Sequence, residues 1–235
     1  MKLTVTHIQL IACALLVLSF VIARLPVVGK YLRVVNTLIH ETGHSLMTLM
    51  TDGQVIKVEL FSDTSGTTVT KSKSKFGQFL IAFSGYPFAT AMAYLFIFLI
   101  FNHYFTAVII TIAVIALINL LFFVRNAHGI IWIIIFLALA VVNWKFGNRL
   151  TTLIFAVIVG AVNLLESIWS SLVITVLSVR KGKSAGDATN LHKLTHVPAF
   201  IWALMFLSMA VFVAYRTALL FLHYNFEVLI KMQLT

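Results

Sequence analysis

Long apolar runs recur along almost the whole of this 235-residue chain, and they limit the folds that it can adopt. An apolar run of about 18 residues or more can cross a bilayer as a helix. Charged residues make up only 10% of the sequence, whereas a soluble domain has about 25%. The sequence therefore predicts an all-α polytopic membrane protein with about six or seven transmembrane helices in a single domain, residues 1–235. The runs lie at about residues 8–24, 33–50, 77–101, 105–124, 130–144, 151–179 and 198–222.

Basic residues exceed acidic ones by 17 to seven, and most of them lie in the short loops between the apolar runs. If the runs alternate in direction, ten Lys and Arg residues fall on one side of the membrane and six on the other. This bias predicts a cytoplasmic N-terminus and suits contact with anionic lipid headgroups. The residues outside the apolar runs do not form a basic face, so nucleic acid is not expected as a partner. The single cysteine, Cys13, excludes an intramolecular disulfide and a cysteine-based metal site.

An ionisable cluster, "HETGH", stands inside the second apolar run and places His40, Glu41 and His44 in the HExxH pattern. Ionisable groups are costly in a membrane, so the cluster is expected to have a function. On a helix the two imidazoles share one face and can bind one tetrahedral Zn²⁺. Glu41 is then placed to act as general base on the attacking water, which predicts peptide hydrolysis. The alternative is a pair of unconnected histidines beside a carboxylate that pairs with a loop cation.

A catalytic zinc needs a third protein ligand, and two carboxylates are candidates. Asp187 lies in a basic loop, on the same predicted side as the C-terminal end of the HExxH helix, although it could equally cap the following helix. Glu166 lies in the sixth run and could be a ligand, a partner of a ligating histidine or a helix–helix contact. Its polar neighbours on that helix are Asn163, Ser167 and Ser170. His192 and His196 are also four residues apart, but no glutamate follows the first, and we interpret them as loop or interface residues.

The segment that follows the HExxH run, residues 52–75, has the pattern of a β-hairpin. It begins with an Asp-Gly turn signal, continues with imperfect alternation of apolar and polar residues, and contains a second turn at "SDTSG". A strand edge close to the zinc could capture an unwound substrate by β-augmentation, or the hairpin could only seal the bundle. Shortly afterwards, Gly85-Tyr86-Pro87 interrupts an apolar run and either lets the backbone approach the site or kinks the helix.

These motifs together resemble a known family. "HETGHSLMTLMTDGQVIKVEL", "SGTTVT" and "FSGYPFATAMAYL" are similar to the bacterial branch of the site-2 protease family of intramembrane zinc metalloproteases, peptidase family M50 with its M50B-like branch. The likeness covers about residues 36–92 and, more weakly, 160–205. It implies that His40 and His44 bind zinc, that Glu41 is the general base and that Asp187 is the third ligand. The chain lacks the Asn-Pro…Leu-Asp-Gly ligand motif of the better-known members, and Asp52-Gly53 replaces the usual Gly-Gly.

The leading functional prediction is a membrane-embedded zinc metalloendopeptidase of the bacterial cytoplasmic membrane. Its substrate would be a membrane protein, cleaved in or near the lipid bilayer. One alternative is a non-catalytic polytopic protein with a structural metal site, and another is a transporter with a His/Glu relay. The glutamate between the two histidines favours hydrolysis, because neither alternative needs a base there. The sequence indicates neither the substrate's identity nor an oligomeric state.

Overall fold

The computed structural model describes residues 18–180 and 185–233, and the side chains of those residues up to 220. Residues 18–24 are helical, and the elements that follow them are numbered here in chain order. The helices and strands are α1 (Val28–Met50), β1 (Gln54–Leu60), β2 (Gly66–Lys71), α2 (Lys75–Phe101), α3 (Phe105–Ile118), α4 (Ala127–Phe146), α5 (Arg149–Arg180), α6 (Gly186–Thr195) and α7 (Ala199–Gln233). A π-helical turn, Asn119–Phe123, extends α3.

Five of the described helices are long and apolar enough to cross a membrane: α2, α3 with its π-helical turn, α4, α5 and the part of α7 up to residue 220. Large apolar side chains such as Ile131 and Val211 are exposed on these helices, where lipid tails can cover them. The predicted all-α polytopic architecture is confirmed, and the chain is an integral membrane protein. The predicted apolar run 33–50 lies in α1. This helix is continuous, but polar residues interrupt its apolar sequence. Of the predicted run 8–24, residues 8–17 lie outside the part of the chain that the structure describes, and residues 18–24 are helical.

The predicted hairpin is confirmed as a two-stranded antiparallel sheet of β1 and β2. The outer edge of β1 is covered, because the Arg125 amide donates to the Val58 carbonyl at 3.1 Å. The Asn126 side chain also bonds both the amide and the carbonyl of Leu60, at 3.1 and 2.6 Å. Among the described residues, β2 is therefore the strand with an unpaired edge. The paired residues run from Gln54 opposite Lys71 to Leu60 opposite Gly66.

A buried polar network joins α1, α2 and α5 and contains two of the polar neighbours of Glu166 named above, Asn163 and Ser167. The Asn36 amide donates to Asn163 Oδ1 at 2.8 Å and to the Ser167 hydroxyl at 3.1 Å. Asn163 Nδ2 in turn donates to the Ala89 carbonyl of α2 at 3.3 Å. Buried polar groups are stable when they are paired in this way. The network therefore fixes the face that α1 presents to its neighbours.

Helices α1 and α2 cross closely at two glycines. A Cβ atom on Gly43 would lie 2.8 Å from Phe88 Cβ and 3.1 Å from the Ser84 carbonyl oxygen. The crossing therefore requires a residue without a side chain at this position. The α2 helix continues through Gly85 and Pro87, so this motif permits a close approach and does not break the helix.

Candidate metal centre and catalytic site

Two histidines of α1 and one aspartate of α6 meet inside the bundle. The Nε2 atoms of His40 and His44 are 3.1 Å apart. Asp187 Oδ2 lies 3.1 Å from His40 Nε2 and 3.2 Å from His44 Nε2. Asp187 occupies the first turn of α6, next to Gly186, whose φ of +53° is in the left-handed region that favours glycine. Within the described part of the chain, this trio is the group of His, Cys, Asp and Glu side chains that could hold a metal ion.

The spacing of these three atoms fits a tetrahedral zinc site. Zinc bonds to nitrogen and oxygen of about 2.0–2.1 Å, at tetrahedral angles, place neighbouring ligand atoms about 3.3–3.4 Å apart. The three separations of 3.1, 3.1 and 3.2 Å are close to that value. Three protein ligands also leave one position open, as catalytic zinc sites do. The residues present could therefore hold the metal that the HExxH pattern implies.

The two imidazoles are held in place from α2. His44 Nδ1 lies 2.7 Å from the Ile81 carbonyl oxygen, so a proton on Nδ1 leaves Nε2 free to bind a metal. The His40 ring meets Tyr86 edge to face, with ring centroids 4.6 Å apart. Tyr86 itself stacks on Phe206 of α7 at 4.8 Å. Both rings are thus oriented by contacts outside their own helix.

Gly85 faces the ligating nitrogens directly. A Cβ atom at this position would lie 2.6 Å from His44 Nε2 and 2.7 Å from His40 Nε2. Real Cβ atoms do not approach other atoms this closely, so any side chain would have to displace the imidazoles. The absence of a side chain at Gly85 is therefore a requirement of the centre, in agreement with the close backbone approach that the sequence allowed.

Asp187 is ionised in this setting. Burial of its carboxyl group disfavours the charged form, but when the imidazoles are protonated the charge of His44 and the hydrogen bonds with His40 and His44 outweigh burial and hold the pKa of Asp187 well below its ordinary range. An anionic carboxylate is the form that binds a cation. Its side chain does not cap α6, since the residue at the N-cap is Ala185 and makes no side-chain cap bond.

Glu41 is buried on the same helix and is positioned by the hairpin. The Thr68 hydroxyl of β2 donates to Glu41 Oε2 at 2.6 Å. Gly66 packs against the other carboxylate oxygen, because a Cβ atom there would lie 2.6 Å from Glu41 Oε1. The hairpin therefore does more than seal the bundle, since it fixes the orientation of the candidate base. Sequence reasoning missed Thr68, for which only the alternation of β2 offered a signal.

If Glu41 is the base of a hydrolytic reaction, we expect Thr68→Val to lower the rate of that reaction about tenfold, because the Glu41 carboxylate would lose the bond that orients it. Zinc content should stay unchanged, since Thr68 contacts no candidate ligand atom. Turnover and metal content of the purified variant measure the two effects. Thr111→Val is the matched control, as among the described residues that hydroxyl donates to the Ala107 carbonyl of its own helix and to no residue of the site. Equal rates for wild type and Thr68→Val would contradict this role.

The π-helical turn at the end of α3 brings a further polar group to the HExxH helix. Asn119 is fully buried, and its Nδ2 donates to the Thr42 hydroxyl at 2.9 Å. Thr42 in turn donates to the Leu38 carbonyl at 2.6 Å. The wider turn of a π-helix, a form found often at functional sites, supports α1 from the side away from the metal group. No sequence signal had singled out Asn119.

The structure places Glu166 apart from the three candidate ligands. The Arg24 guanidinium lies 2.8 Å from its carboxylate. The ring faces of Phe20 and Trp169 cover the same guanidinium, whose Cζ atom lies 4.7 and 4.6 Å from the respective ring centroids. Asp187, and not Glu166, is therefore the carboxylate that meets the two imidazoles. Glu166 lines the same cavity as the metal group but is engaged in an ion pair.

His192 and His196 also lie away from the group. His192 Nδ1 is 2.9 Å from the Val197 carbonyl oxygen, and His196 ends α6 with a φ of +62°. Both are thus residues of the helix end and of the loop that follows it, as their spacing without a glutamate suggested.

A cavity of about 830 Å³ opens beside the candidate metal centre. Residues of α1, β2, α2, α5 and α6 line it, among them His40, Glu41, His44 and Asp187. Its size is within the range of about 300–1,000 Å³ that ligand-binding clefts have. The cavity therefore gives a ligand room to reach both the metal group and the base.

The fold and the site together define a polytopic membrane protein with an HExxH helix and a candidate zinc centre of two histidines and an aspartate. The sequence matches the family described as Peptidase M50B-like over residues 10–217. The chain belongs to that family, and the resemblance to site-2 proteases seen in its motifs is confirmed. No curated protein and no solved structure matches the chain.

Proposed function

We propose that this protein is a membrane-embedded zinc endopeptidase that hydrolyses peptide bonds of membrane proteins in or near the bilayer. The observation that carries the proposal is the triangle of His40 Nε2, His44 Nε2 and Asp187 Oδ2, whose sides of 3.1–3.2 Å suit one zinc ion. Glu41, one residue from the first ligand, supplies the base that hydrolysis needs. A purely structural metal site would not need a carboxylate held at this place by Thr68.

His40, His44 and Asp187 would hold the zinc. Zinc bound there supplies Lewis acidity, which polarises a peptide carbonyl and acidifies water at neutral pH. Glu41 takes the proton from the attacking water and passes it to the leaving amine, and Thr68 keeps the carboxylate turned towards the cavity. Removal of bulk water from a buried site strengthens each of these electrostatic interactions.

The hairpin would present the substrate. A helical segment cannot be cut while its carbonyls are bonded within the helix, so it must first unwind, and its exposed amides then need partners in a low-dielectric environment. The free edge of β2 offers such partners beside Glu41, while residues 124–126 cover the edge of β1. We infer that substrate binds to β2 as an added strand.

Metal analysis tests the proposed centre. We expect purified protein to contain one zinc per chain, and His44→Ala and Asp187→Ala each to lower zinc affinity by at least about 10- to 100-fold. Glu166→Gln should keep its zinc, since Glu166 pairs with Arg24 and not with the imidazoles. Zinc-free protein, or full zinc affinity in both ligand variants, would contradict the assignment.

Cleavage tests the activity itself. The protein, reconstituted in liposomes with a panel of single-span reporter proteins, should cleave at least one reporter within or near its span. A strong zinc chelator should stop cleavage, and added zinc should restore it. Zinc-loaded protein that cleaves no reporter and instead transports metal or protons would support the transporter alternative.

A further inference from the structure

Arg33 shares one face of α1 with the metal ligands. Arg33, Thr37, His40 and His44 follow one another at spacings of three and four residues, which keeps their side chains on the same side of a helix. All four line the cavity described above. Arg33 lies seven residues before His40, which is two helical turns or about 10 Å. An extended peptide covers that distance in about three residues.

The positive charge of Arg33 has no carboxylate of its own. The charge of Arg33 acts on Glu166, but it is the Arg24 guanidinium that lies 2.8 Å from the Glu166 carboxylate. Arg33 forms no ion pair within 4 Å in the parts of the chain that the structure describes. Its Nε atom is shielded from solvent there and lacks a hydrogen-bond partner, as do Nε and Nη1 of Arg24. Arg24 thus holds the Glu166 carboxylate, and Arg33 has no ion pair of its own among the described residues.

Among the other described acidic groups, four have partners of their own, and Asp52 lies in the turn at the opposite end of α1 from Arg33. The chain has seven Asp and Glu residues, and the structure describes six of their side chains. Beyond Glu166, Asp63 also lines the cavity, but its carboxylate accepts bonds from the amide and hydroxyl of Ser65 within its own turn and forms no ion pair with Arg33. The remaining described pairs are Glu41 with Thr68, Glu59 with Lys57, and Asp187 with the two histidines. A partly buried guanidinium with a free donor is costly unless an anion meets it.

We propose that Arg33 forms a specificity subsite that binds a carboxylate of the substrate, an Asp or Glu side chain about three residues from the cleaved bond. The inference rests on the proposed function for the nature of the substrate. It follows from the shared cavity, the two-turn separation from His40 and the missing counterion. A carboxylate fits the planar fork of a guanidinium with two parallel hydrogen bonds, so the subsite selects an acidic residue over its amide.

Peptide binding to the Glu41→Gln protein tests the subsite apart from catalysis. The probes are fluorescent ten-residue peptides of Leu, Ala, Gly and Ser with amidated ends, in which a single Glu or Gln is moved through the positions. Fluorescence anisotropy in detergent gives the Kd of each. At one position, or at two adjacent ones, the Glu peptide should bind roughly 10- to 100-fold tighter than its Gln counterpart.

Two Arg33 variants and one control make the readout specific. Arg33→Gln should abolish the difference between Glu and Gln peptides, and Arg33→Glu should favour a Lys peptide at the same position. Arg180→Gln is the matched control, because Arg180 is exposed at the end of α5 and does not line the cavity. Equal or undetectable binding of Glu and Gln peptides at every position would overturn the proposal, as would a preference that survives Arg33→Gln.

Three further outcomes separate this proposal from others. If Arg33→Gln loses copurifying anionic lipid while the peptides show no preference, the anion is a lipid headgroup and the subsite proposal is wrong. Wild-type protein that cleaves reporters without regard to acidic residues would leave the protease function standing and overturn the subsite. An Arg33-dependent preference in a protein that cleaves nothing would support the subsite and contradict the catalytic proposal.

Discussion

Glu41→Gln is expected to lower peptide cleavage by about 10²- to 10⁴-fold, the usual contribution of general acid–base catalysis. Glutamine has nearly the same shape as glutamate and can still accept the bond that Thr68 donates to the Glu41 carboxylate at 2.6 Å. The variant should therefore fold normally. It cannot take a proton from water, so the chemical step fails. The measurement is the cleavage rate of any reporter that wild-type protein cuts, together with zinc content.

Zinc content is the essential companion of this measurement, because Glu41 contacts β2 and not the three candidate ligands. Stoichiometric zinc with lost cleavage identifies Glu41 as the base. Full activity in Glu41→Gln would remove that role. Simultaneous loss of zinc and activity would mean instead that Glu41 supports the ligand helix, and Glu41→Asp would then be expected to recover the metal without recovering the full rate.

The second large effect is expected at Gly85. In Gly85→Ala the new methyl group would lie 2.6 Å from His44 Nε2 and from His40 Cε1, so both imidazoles must move. The Ile81 carbonyl and Tyr86 hold these rings, which leaves little freedom to adjust. We expect zinc affinity to fall by at least about 10- to 100-fold and cleavage to be lost with it. Competition with a chelator of known affinity measures the change.

Gly160→Ala serves as the control for Gly85→Ala. The added methyl group in α5 would come within 2.8 Å of Ile100 Cδ1, the tip of a flexible side chain that can rotate away. This variant introduces the same methyl group into a membrane helix at little cost. Wild-type zinc affinity in Gly85→Ala would show that the imidazoles adapt, and it would contradict the close approach described here.

The architecture was largely accessible from the sequence because its signals are local. Apolar runs locate membrane helices, an Asp-Gly turn and short alternation locate a hairpin, and HExxH spacing places two imidazoles and a carboxylate on one helical turn. The sequence also limited the third candidate ligand to Asp187 or Glu166, and the resemblance to site-2 proteases favoured Asp187. The residues alone could not decide between the two, since that choice depends on how α5 and α6 pack against α1.

The supporting residues were harder to predict because each acts across a tertiary contact. In the sequence, Thr68 is one of several threonines in a predicted strand, and Asn119 is a polar residue near the end of an apolar run. Their roles arise only when β2 and the π-helical turn pack against α1. Likewise, Arg24 and Glu166 are far apart in the chain, and nothing local indicates that they pair. Long-range pairing of single residues leaves no periodic trace.

The placement of Asp187 on α6 has a thermodynamic consequence. Two candidate ligands lie in α1, whereas the third candidate lies in a short helix much later in the chain. A metal bound to all three is therefore a reversible cross-link that closes a very long loop, and its binding free energy adds to the stability of the folded state. Resistance to unfolding would then rise with free zinc, and the docking of α6 would be the part most sensitive to depletion. The same ion would govern both catalysis and the lifetime of the fold.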